Sequence, residues 1–384
     1  MITEALTRAQ VGDAKRIVVK IGSSSLTTMA DGLDHDRLRR VADVLGAERA
    51  AGREVVLVSS GAVAAGLDPM GISRRPKDQA TKQAAAGVGQ SLLMAAYTQA
   101  LAAHRLVPAQ VLLTADDLIH RAKYRNAQRA VERMLALGIF PIVNENDAVV
   151  SHGVRFGDND RLSALVAHLI HAEALVLLSD VDALCTAPPG TPGSERVPFI
   201  SGPGHLDELS IGGTGAAGTG TGGMVTKVQA ATMAADSGIA TILTSADRVA
   251  EAVAGDDVGT AFGVTHRRRS TRLLWLAHLA QKHGTVHVDE GAARAVSERG
   301  RSLLAVGVTG ADGGFDAGDP VDVRGPNGAL VARGIANFAE DELPAMIGKS
   351  SEELGNTLGA DYRREVIHRN DMVLTDAVFE QGEQ

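Results

Sequence analysis

The stretch RIVVKIGSSSLT, residues 16–27, sets the architecture of this chain. Ile17, Val18, Val19 and Ile21 make a short, nearly continuous apolar run, which suits a strand buried on both faces. Lys20 stands near the end of that strand, and Gly22, Ser23 and Ser24 form the turn that follows. Five further runs of the same kind occur at Glu54–Val58, Val107–Leu113, Ile139–Val143, Ala174–Leu178 and Ala240–Leu243. Helical patterns lie between them, for example Leu38, Val41, Ala42 and Leu45, or Tyr124, Gln128, Val131 and Leu135. This alternation predicts right-handed crossovers and a mostly parallel α/β sheet sandwiched by helices. Ligands of such sheets bind beyond the carboxyl ends of the strands, so the turns after these runs are where chemistry is expected.

Outside this α/β region, taken as 15–265, the pattern changes. Residues 1–14 read as a loose polar arm. The segment 266–283 carries four arginines and Trp275 and reads as a connecting helix. From 284 to 361 short alternating segments, Thr285–Val288, Leu303–Val308, Pro320–Val323 and Ala329–Gly334, predict a small β-rich domain. Residues 362–384 form a tail. The Gly/Pro/Ser-rich span 186–222 reads as a long loop, mobile over the site.

Composition narrows the function. The chain has 384 residues, 45% hydrophobic but only 3% aromatic, so its core is built from Ala, Val, Leu and Ile. A net charge of −8 argues against general binding to nucleic acid or acidic membranes. The single cysteine, Cys185, excludes an intrachain disulfide and makes a reducing, cytoplasmic setting the default. No apolar segment opens the chain as a secretory signal would. The apolar stretch 84–103 is broken by Gln90, Ser91, Thr98 and Gln99 and reads as a buried helix, not a membrane span. No histidines have metal-ligand spacing, and no protein metal site is expected.

The run GTGTGGMVTK, residues 218–227, supplies the first chemical signal. Its glycines let backbone approach a ligand closely, and from Met224 the pattern turns helical, with Val228, Ala231, Ala235 and Ile239 about a turn apart. A glycine-rich turn entering a helix N-terminus suits phosphate, and Lys227 adds a full positive charge one turn inside. The spacing is neither that of a Walker loop nor that of a dinucleotide fingerprint. Four other segments follow strands: KIGSSSLT at 20–27, VSSGAVAAG at 58–66, NEND at 144–147 with GDND at 157–160, and the pair Ser179–Asp180. Together they suggest phosphoryl transfer, in which positioning and charge neutralisation do most of the work. Lys20 and Lys227 could flank the moving phosphoryl group, with Asp160 holding both ammonium groups. A carboxylate acceptor is already ionised, with a reference pKa of about 4.3, and needs no general base. Asp147 and Asn159 suit an α-amino group. Taken singly, Lys20 would be a solvated strand-end charge, and Asp147, Asn159 and Asp160 would be turn or cap residues.

In this order KIGSSSLT, VSSGAVAAG, VNEND, FGDND and GTGGMVTK resemble the glutamate 5-kinase family of the amino-acid kinase superfamily, over about 16–265. GTVHVDEGAARAV from 284, with SLL at 302–304 and ARGIANF at 332–338, resembles a PUA domain. The resemblance implies an amino-acid kinase fold and ATP-dependent phosphorylation of the glutamate γ-carboxylate, the first step of proline biosynthesis. By position it makes Lys20 an ATP-contacting lysine, Ser60, Asp147 and Asn159 glutamate-binding residues, and Asp160 the organiser of the two lysines. It assigns the nucleotide to Ser179, Asp180, Thr221, Gly222, Gly223, Met224, Val225, Thr226 and Lys227. Mg²⁺ carried with the nucleotide, proline as feedback inhibitor and a homo-oligomer, dimer or tetramer, are further implications. The chain departs from the family at VDALCTAPPG, 181–190, where Ala183 and Cys185 replace the usual Gly and Tyr.

Two rival functions are weighed. One is RNA binding, since PUA domains elsewhere bind RNA. Residues 284–360 hold 12 Asp/Glu against 6 Lys/Arg, a net of −6, and only Phe315 and Phe338 as aromatics, which disfavours it. The other is a kinase of the same superfamily acting on a different carboxylate or phosphate.

Overall fold

The computed structural model describes residues 3–28, 32–74, 76–114, 117–118, 121–149, 159–187, 191–202, 206, 223–264 and 284–374. The chain divides into two compact units, Met1–Arg268 and Arg269–Gln384.

The first unit is built on an eight-stranded sheet. Its strands are β1 (Arg16–Ile21), β4 (Glu54–Ser59), β5 (Pro108–Leu113), β6 (Phe140–Glu145), β7 (Ala174–Ser179), β8 (Phe199–Ile200), β9 (Ala240–Ser245) and β10 (Thr260–Phe262), in the order β5-β6-β4-β1-β7-β9-β10-β8. A small hairpin of β2 (Thr27–Thr28) and β3 (Gly32–Leu33) stands apart. All neighbouring pairs from β5 to β9 are parallel, and β10 runs antiparallel to β9. The expected mostly parallel sheet is therefore present, and each expected strand lies within two residues of its predicted bounds. The edge strand β8 and its neighbour β10 have no counterpart among the expected strands, because two or three residues give no periodicity to detect.

Period two assigns the faces. Ile17, Val19 and Ile21 of β1 join Val55, Leu57, Val176, Leu178 and Ile242 in one core. That core is closed by α1 (Glu4–Asp13), α3 (His35–Ala50), α5 (Gln79–Ala102) and α9 (Val249–Ala254). Val18 and Lys20 turn to the opposite face, where α7 (Asn159–Leu169) packs on β1 and α8 (Met224–Asp236) packs on α7 and β9. Two other helices complete the main elements of this unit, α4 (Ala62–Leu67), which packs on α5, and α6 (Arg121–Ala136), on β6; a single turn, α2 (Ser23–Leu26), follows β1.

Four expectations are corrected. The first residues are not a loose arm: α1 is capped by Thr3, whose side chain accepts from Leu6 N, and Thr7 and Val11 are fully buried. Arg8 anchors the helix by donating to the carbonyls of Val258 (2.6 Å), Asp256 (2.9 Å) and Pro198 (3.1 Å), contacts that no local pattern encodes. The span 186–222 is not wholly loop, since Cys185 and Arg196 form an antiparallel bridge and Phe199–Ile200 joins the sheet edge. Arg196 ties this segment to Gly259 O (2.8 Å) and Asp257 Oδ1 (2.5 Å). The rest of that span, 188–190, 203–205 and 207–222, lies outside the described residues, as does the expected linker helix at 266–283.

The second unit has a five-stranded sheet, β12-β11-β13-β14-β15, from β11 (Gly284–Val288), β12 (Val308–Asp312), β13 (Pro320–Arg324), β14 (Leu330–Ile335) and β15 (Met372–Leu374). Val286, Val288, Val321, Val323, Phe315, Phe338 and Ile367 share its core. Here too the third correction applies. The run Leu303–Val308 is not a strand: burial alternates along it, but Ala305–Gly307 is a 3-10 turn and the strand begins at Val308. The sheet also reaches beyond residue 361, because β15 pairs with β14 inside the span read as a tail. No helix among the described residues is long and apolar enough to cross a membrane.

Candidate active site

The parallel strands bring their carboxyl ends to one edge. Ile21 is in register with Ser59 of β4 on one side and Leu178 of β7 on the other, so the turns after β1, β4 and β7 lie side by side. The chain winds to the β4 side first and reaches β7 later, which makes the end of β1 a switch point, the place where ligands of open α/β sheets bind.

Lys20 enters from the centre. Its strand face points at α7 and α8, and there it meets Asp160, in the first turn of α7, through an ion pair to Oδ1. Lys227, in the first turn of α8, bonds the other oxygen, Oδ2, at 3.1 Å. All three side chains are buried, and Asp160 is fully enclosed. Burial alone would push the Asp160 carboxyl up, but the Lys20 and Lys227 ammonium groups outweigh it and hold the carboxyl below its ordinary range. Thr226 Oγ1 adds a donor to Asp160 Oδ2 at 3.3 Å. One carboxylate between two ammonium groups leaves one positive charge in excess, in surroundings of low dielectric. That excess suits a polyanion.

The start of α8 supports the same chemistry. Gly223 caps the helix without a side-chain hydrogen bond, so the first N–H groups of α8, at Met224 and Val225, have no side-chain acceptor at the cap. The single Thr226 hydroxyl hydrogen is shared between Asp160 Oδ2 and the nearer Gly223 O at 2.9 Å, which fixes the turn. Thr221 and Gly222 lie outside the described residues. At the end of β7, Ser179 is buried and its Oγ accepts from Val181 N at 3.1 Å, so its hydroxyl shapes the turn; Asp180 beside it is exposed. The departing segment after it is tied to β9: Asp182 Oδ1 accepts from Ser245 Oγ (2.5 Å) and Asp182 O from Thr244 Oγ1 (3.0 Å). Asp182 carried no signal in the sequence, because its partners are 62 and 63 residues away.

On the β4 and β6 side a second group assembles. Asn159 Nδ2 donates to Ser60 Oγ (2.9 Å) and to Asn144 Oδ1 (2.9 Å), and Asn159 Oδ1 accepts from Glu145 N (3.2 Å). Ser60 follows β4 directly and precedes Gly61, whose φ of 105° is left-handed and open to glycine at low cost. Asp147 lies in the turn after β6, half-buried, with Asn146 N bonded to Leu113 O at 2.9 Å. Asn144, within NEND, is a site residue that the sequence pattern does not single out; a polar residue near the end of an apolar strand is its one local signal. Among the described residues no three His, Cys, Asp or Glu side chains converge as a metal cage.

The chain matches the family model described as "Amino acid kinase family" over residues 15–245 and that described as "PUA domain" over 284–358. A glutamate 5-kinase of Thermobifida fusca (strain YX) is 55% identical over 96% of this chain and 95% of its own. One from Streptomyces coelicolor is 54% identical over 96% of this chain and 98% of its own. The solved carbamate kinase from Giardia lamblia bound to AMP-PNP shares the fold at 17% identity, with a TM-score of 0.50, over 66% of this chain and 100% of that one.

Proposed function

This chain belongs to the amino acid kinase family and, within it, to the glutamate 5-kinases, and on that premise we propose how its residues divide the work. The reaction phosphorylates the γ-carboxylate of L-glutamate with ATP as co-substrate and opens proline biosynthesis. A γ-carboxylate oxygen attacks the γ-phosphorus of ATP while the bond to the bridging β,γ-oxygen breaks, giving L-glutamyl 5-phosphate and ADP. No proton need be removed from the nucleophile.

Lys20 and Lys227 flank the transferring phosphoryl group and neutralise charge as it shifts towards the leaving oxygen. Asp160 holds both ammonium groups at fixed positions, so they need not reorganise during the step. The Lys20–Asp160–Lys227 cluster is the single observation that carries this reading. The nucleotide lies on the β7–β9 side, against Ser179, Asp180 and the loop and helix start from Thr221 to Lys227. Glutamate lies on the β4–β6 side, its α-amino and α-carboxylate groups met by Asp147, Asn159 and Ser60. Mg²⁺ would come with the nucleotide and would supply neutralisation of the triphosphate charge. The Asp160 carboxylate, with both oxygens turned to ammonium groups, is not a ligand suited to it. Proline acts as feedback inhibitor, and the protein works in the cytoplasm as a homo-oligomer, dimer or tetramer.

The test is an ADP-release assay with glutamate, aspartate, N-acetylglutamate and carbamate as acceptors, with and without proline. Glutamate alone is expected to support turnover. Turnover with carbamate or N-acetylglutamate in preference to glutamate would sink the reading.

A further inference from the structure

α5 is apolar along nearly all of its buried face, with Ala85, Ala86, Gly89, Leu93, Ala96, Ala100 and Leu101 turned inward. Two buried residues break the pattern, Gln90 and Tyr97, seven positions apart and therefore on one side of the helix. Each reaches the end of a different strand. Gln90 Oε1 accepts from Asn144 Nδ2 at 2.8 Å, at the end of β6. The Tyr97 hydroxyl bonds Ser59 Oγ at 2.9 Å, at the end of β4.

Backbone groups, which can act in only one sense, fix the direction of both chains of bonds. Glu145 N–H can only donate, and it points to Asn144 Oδ1 at 2.8 Å. Asn144 therefore presents Nδ2 to Gln90, and Gln90 must offer its oxygen. With Asn144 Oδ1 so placed, Asn159 turns Nδ2 towards it and towards Ser60 Oγ. Ser60 Oγ then accepts, and its own hydroxyl hydrogen is left to donate to a substrate carboxylate. The second chain ends at the same residue. Ser60 O can only accept, and Ser59 Oγ donates to it at 3.1 Å, so Tyr97 must donate to Ser59. Burial pushes the Tyr97 hydroxyl far above its ordinary value, although the Ser59 bond draws it down, so it keeps the proton it donates.

We propose that Gln90 and Tyr97 are positioning residues for the amino-acid substrate: from one face of α5 they fix the side chain and the backbone carbonyl of Ser60. This rests on the reading that glutamate binds at Ser60 and Asn159. The alternative is that both residues merely satisfy buried polar groups in the core.

Steady-state kinetics of the full chain, with glutamate and ATP varied separately, separate the two. Gln90→Met removes the acceptor and is expected to raise the glutamate KM about 10-fold, the scale of one buried hydrogen bond. The ATP KM should stay within about two-fold, as no bond on the nucleotide side is lost. Gln90→Glu keeps an acceptor oxygen and should recover part of the loss. Tyr97→Phe, which keeps the ring in place, should raise the glutamate KM in the same selective way, and it carries the test if Gln90→Met does not fold. In a Ser60→Ala background Gln90→Met should not add to the defect, because the hydroxyl it positions is gone, whereas Tyr97→Phe, which acts on the carbonyl that remains, should still add part of its effect. Equal rises in both KM values, or full additivity of Gln90→Met with Ser60→Ala, would overturn the proposal. A glutamate KM unmoved by Ser60→Ala would instead remove the underlying reading of the site.

Discussion

Asp160 is the residue on which the proposed chemistry turns. It sits fully buried between Lys20 and Lys227, so the three side chains carry a net charge of one positive. Removing either lysine leaves a balanced pair, and Lys20→Ala and Lys227→Ala are expected to fold. Each should lose kcat by about 10²–10³-fold or more, the scale of a lost charge stabiliser; near-normal turnover in a folded variant would end the two-lysine mechanism. Asp160→Asn does the opposite. It leaves two ammonium groups buried without a counter-charge, expected to cost about 3–5 kcal/mol of stability, and ATP should restore part of the Tm. Acid should act through the same group. Its folded-state pKa lies below the unfolded value of about 3.9. The stability it confers is complete above that unfolded value and disappears as pH falls through the folded one. Chemical unfolding followed from pH 6 downwards should therefore show a steeper acid limb in the native protein than in Asp160→Asn. On the substrate side, Asp147→Ala should raise the glutamate KM and spare that of ATP.

At the scale of elements, the site depends on how closely α4 meets α5. A Cβ built on Gly89 would lie 1.8 Å from Ala62 O, and one on Gly66 1.9 Å from Ala85 O, so the two helices pack backbone to backbone. Ser60 and Gly61 lead directly into α4, and Gln90 follows Gly89 on α5. Gly89→Ala is expected to force the helices apart, costing about 1–3 kcal/mol through overpacking and raising the glutamate KM more than the ATP KM. A thermal melt and the two KM values check this together; an unchanged Tm would mean the contact yields without cost.

At the scale of the whole molecule, the second unit is acidic and offers little to a nucleic acid. Its two aromatics between 284 and 360, Phe315 and Phe338, are both buried in its core, with Phe338 stacked on Tyr362, so neither can take a base. The full chain is expected to bind single-stranded RNA no tighter than about 10⁻⁶ M at physiological salt. Salt-sensitive binding well below that in a filter or anisotropy assay would reopen a nucleic-acid role for this domain.

What the sequence determined by itself was local and repetitive. Apolar runs of five or six residues, as in Arg16–Ile21, separated by helical periods, define a parallel sheet because the pattern recurs six times in one chain. The glycine run and the segments that follow strands single out Lys20, Asn159, Asp160 and Lys227, since loops at strand ends are where such sheets bind ligands, and the family resemblance adds Ser60. Where the information is not local, only the tertiary structure decided. Arg8 turns a polar N-terminal segment into a docked helix through carbonyls about 190 to 250 residues away. β15 completes the second sheet with three residues too few to show a period. Asp160 is a helix-start carboxylate in the sequence; in the fold it is a buried charge clamped from two other elements. Gln90 reads as a polar break in an apolar helix, and its partner at Asn144 is visible only once β6 is beside α5. A pairing of side chains across such separations is fixed by packing, and no period in the sequence records it.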